Sequence, residues 1–252
     1  MHDSTPNKSA ALAEDSRYLV RLASTAVEIE SALRLRYEVF SRELGSGAQL
    51  AAGIESDAHD ISCEHLVMVD RVSGRTIGTY RLKSVEAAGG AAGFYSNAEF
   101  TLDMLPEGVL ANGIEIGRAC VAAEHRTTRA IFLLWRGLAR RMRETGKRYF
   151  FGCCSIFTRN PPDGEVAYRQ LEKGGFIHDR FHVEPRLPIA SVETPGEDTT
   201  RIKLPGLFEM YLRVGARVCG RPIFDTIFGT VDFFVVFDLE AMEPKYRRLF
   251  LD

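Results

Sequence analysis

Glu115 and Arg118 stand three apart in a run that is otherwise apolar, with Ile114, Ile116, Ala119 and Val121 around them. A charge placed in apolar text must be paired or put to use, because burying it alone is costly. A sheltered carboxylate can take a proton, and an arginine beside it can hold an anion. In a regular strand, residues three apart point to opposite faces. One extra residue in the ladder brings both to the same side, and Gly117 is the natural place for it. The spacing predicts a bulge within 116–119; the plain alternative is a surface strand with two solvated charges.

A second cluster lies earlier in the chain. Glu55, Asp57 and Asp60 crowd six positions, and they repel one another unless cations stand opposite. Arg34, Arg36 and Arg81 are candidates for that role. The trio could also hold a cationic ligand, or be a solvated acidic loop. The pattern D-x-[DN]-x-[DN]-G is absent, which argues against a calcium loop. Arg36 and Phe40 are four apart, so they share one helix face, which also carries Leu33. His59, His65 and His125 fit no common zinc spacing, so no metal is expected. A G-x-S-x-G elbow, a Walker A loop and a cysteine-protease text are also missing.

These residues need elements to position them. Strands are expected over 18–23, 63–70, 76–84, 113–122, 147–156, 176–183 and 231–239. Thr25 with Glu28 reads as a capping box opening a helix to about Arg42. Ile131, Leu134, Trp135, Leu138 and Met142 recur at helical spacing and predict a helix over 127–145. Further helices are expected over 161–173, 207–215 and 242–250. Segment 147–156 is apolar throughout, which suits a central strand. The fold class expected is α/β, a mixed sheet with helices on both faces. Residues 1–17 read as a disordered arm, 18–183 as the core and 184–252 as a C-terminal extension packed on it.

With 252 residues, 45% hydrophobic and 26% charged, the chain can bury a sizeable core. A net charge of −2 makes duplex nucleic acid a poor partner. Arg140, Arg141, Arg143, Lys147 and Arg148 cluster near one helix end, as a solvated helix terminus or as a landing surface for an acidic carrier or anionic lipid. Five cysteines without a C-x-x-C suit reduced thiols in a cytoplasm. The polar start of the chain is not a signal peptide, and no run of 18 apolar residues occurs. The expected location is therefore cytoplasmic, with room for a peripheral contact with the inner membrane through 207–214 or the terminal K-Y-R-R-L-F.

R-Y-E-V-F (36–40), E-x-D-x-x-D (55–60), T-Y-R-L (79–82) and E-I-G-R (115–118), in that order, resemble the acyl-homoserine-lactone synthases and their N-acyl amino acid synthase relatives. Those are GNAT-fold enzymes that use acyl carrier protein thioesters. The chain is most similar to the L-ornithine N-acyltransferases that make lyso-ornithine lipid. That likeness is carried by GFYSNAEF (93–100), IEIGRACV (114–121) with LLWRGLA (133–139), YFFGCCSI (149–156) and the region 207–239.

The resemblance implies transfer of a (3-hydroxy)fatty acyl group to the α-amine of an amino acid, with Glu115 as general base beside Arg118. The bulged strand would offer amides around Ala119, Cys120 and Val121 to the tetrahedral oxyanion. The donor's pantetheine would run between the strands at 113–122 and 147–156, past Cys154 and Ser155. Phe150, Phe151, Phe157 and Trp135 could line a tunnel for the acyl tail. Arg36, Phe40, Glu55, Asp57, Asp60 and Arg81 would order a loop over the acceptor. One of Asp57 or Asp60 would take a side-chain ammonium, and Arg81 or Arg118 a carboxylate. The turn His125-Arg126-Thr127-Thr128-Arg129 departs from the GNAT pattern in having no glycine to grip a pyrophosphate. That favours acyl carrier protein over acyl-coenzyme A, with Arg126 or Arg129 meeting the carrier's single phosphate or its acidic helix. No tightly bound cofactor is expected. A signal synthase with another amine acceptor, and a non-catalytic module binding carrier or membrane, are the competing readings.

Overall fold

Alternating apolar residues on either side of the V-S-G-R turn close as an antiparallel hairpin, and the rest of the sheet is built outward from it. The computed structural model describes residues 10–45, 53–189 and 201–251. In chain order the elements are β1 (Ala13–Glu14), β2 (Tyr18–Leu22), α1 (Ala26–Arg36), β3 (Glu64–Asp70), β4 (Thr76–Ser84), α2 (Val85–Ala88), α3 (Glu107–Ala111) and β5 (Gly113–Val121). There follow α4 (Thr128–Thr145), β6 (Tyr149–Phe157), α5 (Asp163–Lys173), α6 (Gly206–Val214), β7 (Arg217–Val218), β8 (Ile223–Asp225), β9 (Thr230–Asp238) and α7 (Pro244–Leu251). The strands form one nine-stranded sheet in the order β1-β2-β3-β4-β5-β6-β9-β7, with β8 also on β9. Among the described strands, only β5 and β6 pair in parallel, as the long crossover through α4 requires.

Helix α4 starts where the Thr127 hydroxyl accepts from Ala130 N and stops at Gly146, whose φ is +67°. Its stripe of Leu134, Trp135, Leu138 and Met142 is buried in the main core. The start of α1 is half a capping box. Thr25 accepts from Glu28 N, but the Glu28 carboxylate turns back to Ser24 N and Arg21. Beyond Arg36 the chain widens into a π-helical stretch, Tyr37–Glu43, where Leu44 N reaches Val39 O. Alternation along β6 and β9 sorts side chains between two cores. Phe150, Cys154, Phe233 and Val235 face one, and Phe151, Phe234 and Val236 the other. Strand β6 is central, as its uniform apolarity predicts.

Several expectations need correcting. Residues 1–9 and most of the glycine- and alanine-rich loop after α1 lie outside the described residues. The expected arm does not extend to 17, because Ala13–Glu14 pairs with β2. Segment 176–183 is not a strand, and only Ile177 bridges Val218. The His178 ring accepts from the amides of Arg180 and Phe181 and folds the segment into a turn. Residues 184–252 do more than pack on a finished core: β9 pairs along the whole of β6, from Tyr149 opposite Asp238 to Phe157 opposite Thr230.

Candidate active site

Strands β5 and β6 are joined over only three positions, Gly113 with Tyr149, Ile114 with Phe150 and Glu115 with Phe151. Then they part. Gly152 sits at the parting with φ +154°, and a Cβ there would lie 2.3 Å from the Ile116 carbonyl oxygen. A cavity of about 200 Å³ opens beyond it. One part of its wall is aromatic and apolar, with Trp135, Phe150, Phe208, Tyr211 and Phe237; another carries Glu115, Arg118, Ser155 and Asp232.

The bulge falls where the sequence predicts it, but on a different residue. Arg81 faces Gly117 and Thr79 faces Cys120, so Arg118 and Ala119 together oppose Tyr80. The left-handed backbone is taken by Arg118, with φ +49°, and not by Gly117. Arg118 can hold that conformation because its side chain is fixed. It pairs with Glu55 at 3.1 Å and Asp57 at 2.9 Å, and lies over the rings of Tyr95 and Phe228.

The bulge turns Glu115 and Arg118 into the same cavity. Glu115 is 6% exposed. Its carboxylate accepts from the amides of Ser96 at 2.8 Å and Tyr95 at 3.0 Å, which ties the turn Tyr95–Ala98 to β5.

The acidic trio meets its cations. Arg36, 1% exposed, binds Glu55 and, at 2.7 Å, Asp60. Arg81 binds Asp57 at 2.7 Å and Asp60 at 3.2 Å. With Arg118, three arginines face three carboxylates, and the formal charges cancel. Arg34 is not part of this set; it pairs with Glu30 on the surface. Asp57 and Asp60 also form a reciprocal cap on the turn Ala58–Ser62, so the same charges shape the loop. Burial pushes the Asp60 carboxyl up, but its bonds to Arg36 outweigh that and bring it to about 2.

Of the other residues singled out from sequence, Phe40, Arg81, Ala119, Phe150, Phe151, Cys154, Ser155, Phe157 and Trp135 line the cavity. Cys120 does not. Its side chain packs in the main core, where burial pushes the thiol up to about 12. Arg126 and Arg129 lie off the cavity wall: Arg126 pairs with Glu43, and Arg129 with Asp15 at 2.6 Å. The basic cluster near the end of α4 is largely matched by acids, Arg141 by Glu64, Lys147 by Glu86 and Arg148 by Asp238. His65 and His125 are engaged separately, with the Asp60 carbonyl and the Tyr18 hydroxyl.

Residues 35–136 match a family model described as an acetyltransferase (GNAT) domain. An L-ornithine N(alpha)-acyltransferase of Rhodobacter capsulatus is 30% identical over 249 residues, covering 92% of this chain and 94% of that protein. The chain belongs to the L-ornithine N(alpha)-acyltransferase family. A member from Brucella abortus is 29% identical over 245 residues, covering 90% of this chain and 86% of that one. The crystal structure of the AHL synthase LasI shares the fold, with a TM-score of 0.52 at 10% identity over 94% of this chain and 96% of that one. In this family member, then, the parting of β5 and β6 forms the cavity of a GNAT-type acyltransferase.

The sequence reading missed three carboxylates. Glu99, Asp225 and Asp232 are all buried, and each can bring an oxygen within 4.8 Å of the others. Asp232 carried the same signal as Glu115, a lone acid in the apolar text V-D-F-F-V-V-F. Glu99 and Asp225 sit in turn-rich text and gave none.

Proposed function

We propose that the protein moves a (3-hydroxy)fatty acyl group from acyl carrier protein to the α-amine of L-ornithine, giving lyso-ornithine lipid. The observation that carries this reading is the cavity at the β5–β6 parting. It joins a buried carboxylate and a bulged backbone to an aromatic chamber, in a chain of the ornithine acyltransferase family.

A thioester is attacked by a neutral amine, whereas an α-ammonium is mostly protonated near neutral pH. Glu115 removes that proton, directly or through one water. The nitrogen adds to the thioester carbon, and the oxyanion meets backbone N–H freed by the two-against-one pairing at Arg118 and Ala119. Cys120 and Val121 are back in the ladder opposite Thr79 and Gly78, so the oxyanion amides narrow to the bulge itself. The C–S bond then breaks and the amide forms; the second nitrogen proton passes to the leaving thiolate, and Glu115 returns the first to solvent. Cys154 and Ser155 flank the pantetheine arm. The tail lies against Trp135, Phe150 and their aromatic neighbours. Arg36, Glu55, Asp57, Asp60 and Arg81 hold the loop and the bulge in register.

The glycine-free turn before α4 supports a carrier with one phosphate. Arg126 and Arg129 suit it, since their present partners form solvent-screened pairs that a phosphate or an acidic helix can displace. No described helix is long and apolar enough to cross a membrane. We place the reaction in the cytoplasm, with the lipid product leaving at the inner membrane surface. The apolar faces of α6 and α7 are turned inward, Phe208 and Phe250 being buried, so any such contact falls on their rims.

The test is purified protein with acyl carrier protein or coenzyme A thioesters and a panel of amines, read by mass spectrometry. N-acylornithine from the carrier thioester is expected. An acylated homoserine lactone, another N-acyl amino acid, or no acyl product overturns the reading.

A further inference from the structure

The three carboxylates that the chemistry above does not use lie beside the cavity. Asp232 and Thr230 are on its wall and share the face of β9 that carries Phe234 and Val236. Asp232 is 4% exposed and Thr230 2%; Asp232 Oδ1 and Thr230 Oγ1 make no well-formed hydrogen bond, although the Ser155 and Thr230 hydroxyls sit near enough to the Asp232 carboxyl to lower it. Among the described residues, none of Glu99, Asp225 and Asp232 forms an ion pair within 4 Å, in contrast with the fully matched trio around Arg36. Asp225 spends one oxygen on the amides of Ile227 and Phe228. Glu99 accepts from Cys153 Sγ at 3.1 Å and from the Tyr95 hydroxyl. Buried acids and hydroxyls left open in this way face a missing donor with several hydrogens.

The place of the cluster says what that donor is. The short turn Tyr95–Ala98 gives its first amides to Glu115 and leads directly to Glu99. Cys153 touches both Ser96 and Glu99. Glu115 and Asp232 thus line one cavity, with Glu99 and Asp225 grouped around Asp232, which offers a carboxylate to each amine of a diamino acid.

We propose that Glu99, Asp225 and Asp232, with the Thr230 hydroxyl, seat the side-chain ammonium of the acceptor amino acid while its α-amine meets Glu115. This rests on the reading of the acceptor as a diamino acid. An ammonium brings three N–H donors and one positive charge, which answer the open oxygens and the excess acid. Burial, with repulsion between the acids, holds the Glu99 and Asp232 carboxyls above the usual carboxylate range.

The test compares L-ornithine with L-norleucine, which replaces the terminal ammonium by a methyl group. Wild-type protein, Asp232→Asn, Glu99→Gln and Thr230→Val are assayed with the same acyl carrier protein thioester, and folding is checked by thermal melting. Wild type should prefer ornithine in kcat/KM. Each acid variant should lose on the order of 10–100-fold on ornithine, the worth of a charged hydrogen bond, with norleucine nearly unchanged. Thr230→Val removes only a hydroxyl and keeps the test decisive should an acid variant misfold; it should show a smaller loss confined to ornithine. Unaltered selectivity in the folded variants overturns the subsite while leaving ornithine acylation standing. Wild type that acylates neither amine, or both equally, overturns the acceptor reading and the subsite together. Tight Mn²⁺ binding by wild type, lost in Asp232→Asn, makes the cluster a metal site and also overturns the proposal.

Discussion

Arg36 and Glu115 show how differently two buried charges can be employed. Arg36 is enclosed, with Glu55 and Asp60 as its partners. Replacing it with methionine fills the space but leaves three carboxylates to two arginines, with Glu55 held only by Arg118 and Asp60 only by Arg81. Arg36→Met should destabilise the fold by about 3–5 kcal/mol, seen as a lower urea midpoint. Glu115 is held by two amides and otherwise faces the cavity. Glu115→Gln keeps the shape and removes the proposed base. Its kcat should fall by about 10²–10⁴-fold with little change in KM for the thioester; wild-type kcat in a folded variant removes Glu115 from the mechanism. Both residues were legible because charges in apolar text are conspicuous. The grouping of Glu99 and Asp225 with Asp232 was not, since two of the three come from segments whose placement depends on tertiary contacts.

At the scale of elements, the parting of β5 and β6 rests on one bulge and one glycine. Gly152 lets the Ile116 carbonyl come closer than any side chain allows. Gly152→Ala pushes backbone against backbone at the mouth of the cavity. It should lower stability by about 1–3 kcal/mol, as overpacking does, and reduce turnover by more than that loss explains; a variant with wild-type melting and rate would show that the strands part without it. The helix at 127–145 and the bulge could be read directly, because helical periodicity and the three-residue offset of two charges are local signals. The identity of the left-handed residue could not. A non-glycine residue in that conformation costs on the order of 1–2 kcal/mol, and the contacts that fix Arg118, with Glu55, Asp57 and the rings of Tyr95 and Phe228, offset it. Strands β7 and β8 were missed for a related reason: they are two and three residues long and exist only because β9 offers them an edge.

Over the whole molecule, the two acidic groups give stability opposite slopes with pH. Asp57 and Asp60 have carboxyls lowered in the folded state, where bonds to Arg81 and Arg36 outweigh burial. Their contribution is complete above the ordinary carboxylate range near 4 and is lost as pH falls toward about 2. Glu99 is raised, by burial first and then by Asp232. Between its ordinary and its raised value the folded chain holds more protons than the unfolded one, so this contribution declines as pH rises. Melting at pH 5 and 8 should therefore show Glu99→Gln gaining on wild type at the higher pH. A constant difference would mean that Glu99 titrates alike in both states.

The aromatic chamber has a bearing on which fatty acids the protein can handle. Its wall is not a separate lining. Trp135 packs on Tyr211, Phe237 and Phe250, and so joins α4 to α6, β9 and α7. If the tail lies there, as proposed, the gauge that measures it is made from the beams of the building. Lengthening it by trimming Trp135 would cost about 3–5 kcal/mol of the fold. Tail-length preference in this lineage is therefore expected to drift through side chains at the chamber's margin, such as Leu207 and Phe157, and to stay fixed at its centre.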